Sequence, residues 1–401
     1  MVAAPSRRAS LRAIAGCLLG AALAGGGCRA LVEAPAPHGP PAARAALTLH
    51  FIGQQQLPHR FQFSGTPIGG LSGIDFDPET GRYWAISDDR SETGPARFYS
   101  LSLDLARFKP HADPGHEGVV FHSVHVLKRQ DGTPFASVAV DPAHAADPES
   151  IRMHRPSRRL VWTSEGDRAV APGRPPLLVD PHVWEIDRDG NFIRALPIPD
   201  KFRASTEERG IRRNLGFEGL AFSGDGATLY VATENALAQD GPIASLTAAS
   251  PSRIIVYDYA RRAVRADYVV EVAPIPVAPR ASGGFADNGI SEILWLGESR
   301  LLLMERSYAQ GVGNTIRLFA VDLHGATDVS QFDSLAGRSY VAAGKRLVLD
   351  LATLGIRLDN FEGMTFGPRL ADGRRSLVLV SDDNFNPTQL TLFLAFAVDE
   401  Q

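Results

Sequence analysis

The sequence predicts an all-β protein, a β-propeller with five blades. A β-hairpin that ends in a carboxylate recurs five times, at the near-constant spacing that is typical of repeat architectures. The five closing acids lie 77, 69, 71 and 77 residues apart, and they are Asp88, Glu165, Glu234, Glu305 and Asp382. The fifth copy also runs out of chain before it is complete, while an unassigned apolar strand at 47–52 is available to complete it.

The clearest hairpin spans residues 217–235. Its first strand ends at Phe222, residues 223–226 (Ser-Gly-Asp-Gly) supply the turn, and residues 229–233 form the second strand. Glu218 enters the first strand and Glu234 leaves the second. Because the open ends of an antiparallel pair lie side by side, one hairpin places two acids at one rim.

The remaining blades follow the same order. The other hairpins are predicted at 72–88, 149–165, 291–305 and 362–382. Third strands follow at 98–103, 183–186, 254–257, 316–321 and 390–396, and fourth strands at 119–127, 192–198, 268–272 and 346–351. The last blade lacks a fourth strand, and we expect the N-terminal strand 47–52 to close it, which removes an exposed sheet edge. Each repeat exceeds the 40–50 residues of compact propellers, so six blades are the alternative, with an irregular blade within 104–148 or 323–361.

The N-terminal segment reads as an export signal followed by a tether. Residues 6–12 (Ser-Arg-Arg-Ala-Ser-Leu-Arg) resemble a twin-arginine signal, and the apolar run 13–24 is too short to span a bilayer. Cys28 follows Leu-Ala-Gly-Gly-Gly and is a candidate for lipid attachment; the alternative is that it is discarded with the signal at 1–28. Residues 29–45 are rich in Ala and Pro and form the tether. We expect a periplasmic or extracellular protein that contacts a membrane only through a lipid at Cys28.

Composition narrows the class of function. The chain of 401 residues is 44% hydrophobic and 21% charged, as in ordinary soluble domains, and its net charge of −4 argues against a nucleic-acid partner. Both cysteines, Cys17 and Cys28, precede the propeller at 46–401, which excludes a disulfide framework, a zinc-thiolate site or a cysteine nucleophile there. We expect a monomer.

The repeats should gather acids at one mouth of the central channel, because the first strand of each blade lines that channel. The acids concerned are Asp88, Asp89, Glu149, Glu165, Asp167, Glu218, Glu234, Glu292, Glu305, Glu362, Asp382 and Asp383. So many carboxylates repel one another unless a cation neutralises them, and oxygen-rich clusters bind Ca²⁺ or Mg²⁺. We predict a Ca²⁺ site whose ligands are Asp88, Glu165, Glu218, Glu234, Glu305, Glu362 and Asp382.

Three arginines accompany these acids. Arg90, Arg168 and Arg306 each follow a closing acid within three residues, and a guanidinium fork suits a phosphate or a carboxylate. Acids and arginines together predict a metal-assisted phosphate-ester site, with Glu218, Glu234 and the three arginines as catalytic candidates. The alternative is that the acids are structural and pair with turn N–H groups or with these same arginines.

Several motifs occur in the order found in one known family. These motifs are Gly70-Leu-Ser-Gly-Ile-Asp75, Ser87-Asp-Asp89, Asp147-Pro-Glu-Ser-Ile151, Gly216-Phe-Glu-Gly-Leu220, Ile290-Ser-Glu-Ile293, Asn360-Phe-Glu-Gly-Met364 and Ser381-Asp-Asp-Asn384. Over residues 65–398 the chain resembles the esterase-like-activity-of-phytase family, with Ser150 standing where that family tends to have glycine. The resemblance implies a propeller-type, calcium-dependent hydrolase outside the cytoplasm, and it does not fix a substrate. Together with the acids and arginines, it leads us to expect a phosphate or other ester as the small-molecule substrate.

Two other functions stay open at this point. One is a non-catalytic binding module of the cell envelope, because propellers serve both uses. The other is a lactonase-like sugar-ester hydrolase with one axial metal. A Ser72 nucleophile is disfavoured because Gly70-Leu-Ser-Gly-Ile74 lacks the final glycine of the nucleophile elbow.

Overall fold

A computed structural model of the chain describes residues 47–111 and 113–400. The predicted export signal at 1–28, with Cys28, and the tether at 29–45 lie outside the described residues. Within the described part no helix has the length and apolar character needed to cross a bilayer. The helical content there consists of three short 3₁₀ helices, at Leu105–Arg107, Asp200–Phe202 and Leu351–Leu354.

The strands form five four-stranded antiparallel sheets. The first strand is β1 (Leu47–Leu57), and the small hairpin β2 (Gln62–Phe63) and β3 (Thr66–Pro67) follows it. Blade 1 contains β4 (Leu71–Asp77), β5 (Arg82–Ser87), β6 (Arg97–Leu103) and β7 (Val119–Val126). Blade 2 contains β8 (Pro148–His154) and β9 (Arg159–Ser164), then the inserted hairpin β10 (Asp167–Ala169) and β11 (Leu177–Val179), then β12 (His182–Ile186) and β13 (Phe192–Ala195).

The remaining three blades repeat this arrangement. Blade 3 contains β14 (Phe217–Phe222), β15 (Thr228–Thr233), β16 (Ser250–Asp258) and β17 (Ala263–Val272). Blade 4 contains β18 (Ala286–Gly297), β19 (Arg300–Ala309), β20 (Gly313–Asp322) and β21 (Gly344–Asp350). Blade 5 contains β22 (Asn360–Arg369), β23 (Arg375–Asp382) and β24 (Thr391–Glu400), and β1 completes it.

The predicted five blades and their closure are confirmed. Strand β1 pairs antiparallel with β24, from Leu47 opposite Glu400 to Leu57 opposite Thr391. The segments 104–148 and 323–361 hold no further blade in the described chain, because their long strands β7 and β21 are the outer strands of blades 1 and 4.

The hydrophobic core lies between the blades. Each of the five main clusters joins side chains from two neighbouring blades, as Trp84 and Trp162 do between blades 1 and 2. Burying a large apolar side chain stabilises a fold by about 1.5–3 kcal/mol, so these layers hold the ring together. The inner strands β4, β8, β14, β18 and β22 consequently contact one another around a common axis.

Each inner strand carries a register shift near its first residues. In blade 1 Leu71 lies opposite Ser87 and Gly73 opposite Ile86, which leaves Ser72 unpaired as a β-bulge. The other four inner strands shift at the equivalent point. A bulge bends the strand and redirects a side chain, so one side chain per blade turns toward the axis.

A buried ion pair closes the channel at mid-height. The Arg152 guanidinium donates to one main-chain carbonyl on each inner strand, at 2.6–3.3 Å, and the acceptors are Ile74, Ile151, Leu220, Ile293 and Met364. The Glu292 carboxylate lies 2.6 Å from Arg152 and also accepts from the Ser150 hydroxyl at 3.0 Å. The Ser150 side chain therefore has a structural role at the axis. We call this group the axial plug, and it separates an upper mouth, at the bulges, from a lower mouth.

Candidate functional site

The upper mouth opens into a cavity of about 1010 Å³. The carboxylates that line it are Asp88, Glu149, Glu218, Glu234, Asp287, Glu362, Asp382 and Asp359. Arg306 lines the same cavity, together with the less polar side chains of Leu215, Tyr308, Val312, Ile356 and Leu358. The predicted gathering of acids at one end of the axis is therefore present in the structure.

The acids form two rings that follow from strand register. The inner ring consists of the residues at the bulges, which are Ser72, Glu149, Glu218, Ser291 and Glu362. The outer ring consists of the residues at the top of each second strand, which are Asp88, Glu165, Glu234, Arg306 and Asp382. Seven of the ten places hold carboxylates, and the serines occupy blades 1 and 4.

Register corrects the alignment of blade 4. The sequence pattern predicts that Glu305 is the equivalent of Glu234 in its blade. In the structure, however, Ile290 lies opposite Glu305 just as Phe217 lies opposite Thr233, so Glu305 is the equivalent of Thr233. Arg306 is therefore the equivalent of Glu234. Because neighbouring side chains on a strand point to opposite faces, Glu305 turns away from the mouth.

The Glu305 carboxylate has hydrogen-bond and ion-pair partners in its own surroundings. It is buried and accepts from the Ala273 N–H at 2.9 Å, and it forms ion pairs with Arg317 at 3.1 Å and with Lys345. It does not line the described cavity. We therefore leave Glu305 out of the candidate ligand set.

Arg306 neutralises one side of the mouth. Its guanidinium lies 3.3 Å from Glu234, 3.2 Å from Asp287 and 3.5 Å from Glu362. Its Nε atom is buried and has no hydrogen-bond partner in the described chain. Burial by itself lowers the pKa of Arg306, but the charges of the surrounding acids outweigh it and raise the pKa, which keeps the cation charged.

The other side of the mouth is only partly neutralised, because Arg90 there lies 3.6 Å from Asp147 and no cation contacts Glu149 or Glu218 in the described chain. One oxygen each from Asp88, Asp147 and Glu149 lies within 4.8 Å of the others, and Glu165, Glu218 and Glu234 form a second group of this kind. We call them the first and second carboxylate trios. Glu149 and Glu218 take part in no ion pair within the described chain.

Burial and mutual repulsion perturb the acids strongly. Burial and then the neighbouring charges of Glu234 and Glu165 raise the pKa of Glu218 well above its ordinary value. The pKa values of Asp88, Glu149, Glu165 and Asp382 are raised well above their ordinary values for the same two reasons. Burial raises the pKa of Glu234 to about 8, although the Arg306 charge acts in the opposite direction.

The other two predicted arginines have different surroundings. Arg90 lies at the edge of the mouth, 3.6 Å from Asp147 and 3.5 Å from Asp167. Arg168 donates to the carbonyls of Ser205 and Glu207 and pairs with Glu208, so it holds an outer loop and does not line the described cavity.

Three acids on the predicted list serve other purposes. Asp89 forms a buried ion pair with Arg97 at 2.6 Å, and Asp383 accepts from the Gly70 N–H at 3.0 Å. Glu292 belongs to the axial plug. These contacts match the structural alternative for repeated acids.

Three acids of the site, Asp147, Asp287 and Asp359, were missed as candidates. Asp147 holds the place of Gly216 at the entry to an inner strand, and it lay inside a quoted motif, so its acidity was a visible signal. Asp287 lies on a part of β18 that extends above the repeat, where no pattern pointed to it. Glu149 was named among the mouth acids but not among the ligands.

The donor set fits a hard divalent cation. Both trios offer only carboxylate oxygens, which Ca²⁺ prefers as ligands. One oxygen of Asp88, Oδ1, is buried and has no hydrogen-bond partner in the described chain. A cation would supply the missing partner and would offset the repulsion within each trio.

No curated protein matches this chain significantly. A periplasmic gluconolactonase from Pseudomonas aeruginosa is a similar solved structure, with 13% identity, a TM-score of 0.35, and coverage of 88% of this chain and 99% of the other. A putative 6-phosphogluconolactonase from Bacteroides uniformis has 14% identity and a TM-score of 0.32, with 81% of each chain covered. A thermostable family-43 glycoside hydrolase has 11% identity and a TM-score of 0.43, with 84% of this chain and 90% of the other covered.

The family comparison is more specific than these structural similarities. The Phytase-like family model, described as esterase-like activity of phytase, matches residues 66–385, which include the inner strands of all five blades. The chain therefore belongs to the Phytase-like family.

Proposed function

We propose that the protein is an exported, Ca²⁺-dependent hydrolase that acts on a phosphate or other ester at the upper mouth. The observation that carries the proposal is the pair of carboxylate trios, of which Asp88, Glu149, Glu218 and Glu234 line the cavity of about 1010 Å³, while Asp147 and Glu165 lie behind them. Glu149 and Glu218 form no ion pair in the described chain, and this leaves their charge for a ligand to balance. Membership of the Phytase-like family supports ester hydrolysis as the type of reaction.

Each side of the mouth has a distinct part in this proposal. The trios, with Glu362 and Asp382 beside them, would hold the cation, which activates water and polarises an ester oxygen when it is bound. Arg306 would hold the anionic part of the substrate, because its Nε–H has no partner in the described chain.

Glu234 is suited to proton transfer. When no cation contacts it, the pKa of Glu234 is raised to about 8, so its carboxyl group keeps a proton at neutral pH. In this proposal the other carboxylates of the trios hold the cation, and Glu234 donates its proton to a leaving oxygen. Glu234 lies between Glu218, on the same hairpin, and Arg306 on the next blade. It is therefore within the part of the mouth where an anion held by Arg306 would sit.

The test is hydrolysis by the purified protein with a panel of phosphate monoesters, carboxylic esters and lactones. We expect turnover with Ca²⁺ and its loss in EDTA. Glu218→Gln should lower turnover by at least a hundredfold, whereas Glu208→Gln, a substitution at an exposed acid far from the cavity lining, should leave it unchanged. A protein that hydrolyses nothing in either state, yet melts at a higher temperature in Ca²⁺, would support the non-catalytic alternative instead.

Export belongs to the same proposal and is tested separately. In a Gram-negative host, we expect the full chain in the cell envelope, and Arg7→Lys with Arg8→Lys should retain it in the cytoplasm. Cys28→Ser should release a lipid-anchored form into the soluble periplasmic fraction. An unchanged distribution of both variants would contradict the proposed signal and anchor.

A further inference from the structure

The lower mouth carries a second ring of equivalent residues that the proposed function does not use. Four positions beyond each bulge, the inner strands present Phe76, Met153, Phe222, Trp295 and Phe366. All five line a cavity of about 370 Å³ at the end of the axis opposite the acids. Four of the five are aromatic, and Phe222, Trp295 and Phe366 are only half-buried.

The turn of blade 3 packs closely against one of these aromatic rings. The turn of blade 3 has glycine at position 224, where an added Cβ would lie 2.8 Å from the Trp295 ring. Any larger residue would therefore displace the indole. The Trp295 N–H donates to the Glu298 carbonyl at 3.1 Å, which fixes the ring beside the cavity.

The charge of the lower mouth is opposite to that of the upper mouth. Arg155, Arg369 and Arg375 line the cavity, and the Arg375 guanidinium lies 3.7 Å above the Phe366 ring. Arg155 is exposed and takes part in no hydrogen bond or ion pair in the described chain. The carboxyl group of Asp75 is the one acid in the lining, and it already accepts from the Met153 N–H at 2.8 Å and from Thr365.

The axial plug makes the lower mouth a separate compartment. Arg152 lies at its floor, but its charge is balanced by Glu292. Arg155 at the rim is therefore a charge that a ligand would meet. Aromatic faces stack on planar rings, and a guanidinium binds a carboxylate or phosphate through its fork.

We propose that the lower mouth binds a small aromatic molecule that carries a carboxylate or phosphate group. The volume of about 370 Å³ lies at the small end of the range for ligand cavities, which fits one or two fused rings. The ring stacks against Trp295 and Phe222, and the anionic group pairs with Arg155. This binding does not depend on the cation or the substrate of the upper mouth.

The experiment is a calorimetric titration of the full chain with 2-naphthoate in EDTA, which removes cations from the upper mouth. We expect one site per chain, and at least tenfold weaker binding of 2-naphthol, which has the same rings without the charge. Arg155→Gln should weaken 2-naphthoate about tenfold. Because Arg155 is exposed, this variant should fold normally.

Two matched variants make the result specific. Arg374→Gln removes a neighbouring surface arginine that pairs with Asp372 and Asp399 and does not line the cavity, so it should change the affinity less than twofold. Glu218→Gln alters the upper mouth and should also leave the affinity unchanged. The proposal is overturned if the wild type does not bind 2-naphthoate, if 2-naphthol binds equally well, or if Arg155→Gln has no effect.

Discussion

Arg306 occupies the place in blade 4 that a carboxylate holds in the other four blades. One guanidinium in contact with Glu234, Asp287 and Glu362 offsets part of a strong repulsion. A buried acid that loses its partner is costly, so this single residue stabilises the protein when no cation is bound.

Replacing Arg306 tests this role. We expect Arg306→Gln to lower the free energy of unfolding in EDTA by about 3–5 kcal/mol, because it leaves buried carboxylates unpaired. Added Ca²⁺ should restore more stability to the variant than it adds to the wild type, as measured by urea unfolding. Arg168→Gln is the matched control, since Arg168 holds an outer loop, and an equal response of both variants to Ca²⁺ would contradict the assignment.

The raised pKa values predict how stability depends on pH. A carboxyl group whose pKa is higher in the folded state keeps a proton that the unfolded chain releases. For Glu234 this holds between 4.5 and about 8, so in EDTA the free energy of unfolding should fall as the pH rises through that range and should level off above it. Urea unfolding at pH 5 to 9 measures the slope. Glu234→Gln should make it shallower, and a slope of opposite sign would contradict the burial of these acids.

The sequence predicted most of the mouth residues but misplaced one of them by a single position. An acid at the end of an apolar run was the visible signal, and it holds for Asp88, Glu165, Glu234 and Asp382. In blade 4 both Glu305 and Arg306 end such a run, and only the strand register decides which one faces the axis. That register depends on the position of a bulge, which no residue type in the sequence predicts.

At the scale of strands, the five bulges and the axial plug define the site. The bulges turn one residue per blade toward the upper mouth, and the plug fills the axis below them. The hairpins and third strands were predictable because alternating apolar residues and turn residues mark them. The plug was not predictable, because Arg152 donates to carbonyl groups on four other strands that are distant in the sequence.

Removing the plug should destabilise the whole ring. Arg152→Met leaves the Glu292 carboxylate buried without its cation, which typically costs about 3–5 kcal/mol. Glu292→Gln should lower the free energy of unfolding less in the Arg152→Met background than in the wild type, because Glu292 has already lost its cationic partner there. Urea unfolding of the two single variants and the double variant gives the coupling energy. Strictly additive losses would show that the pair does not act as a unit.

At the scale of the whole molecule, the propeller depends on the closure of blade 5 by β1. Its pairing with β24 leaves no blade with three strands and covers a sheet edge that would otherwise recruit other chains. Five blades and this closure were predictable from counting repeats, because the number of strand-like segments left one strand over at the N-terminus. The lower mouth was not predicted, because large aromatic residues on inner strands are expected in the core, and the sequence does not show which of them border a cavity.

Two N-terminal truncations should distinguish the contribution of β1 to stability from that of the residues that precede it. A chain that starts at residue 45 should melt at the temperature of the full chain, because it keeps all of β1. A chain that starts at residue 58 should lose several degrees in melting temperature and associate through the exposed β24 edge. Thermal melting and size-exclusion chromatography measure both effects. A monomeric, equally stable chain from residue 58 would contradict the role of β1.

The pairing of β1 with β24 also joins the first described strand to the last, since Leu47 lies opposite Glu400. On the ribosome, blades 1 to 4 can each assemble as soon as their own strands emerge, whereas β1 must wait until nearly the entire polypeptide has been made. Contacts so far apart along the chain form slowly. The newborn protein therefore spends its synthesis with one unpaired apolar strand, which is the interval in which a chaperone would be of most use to it.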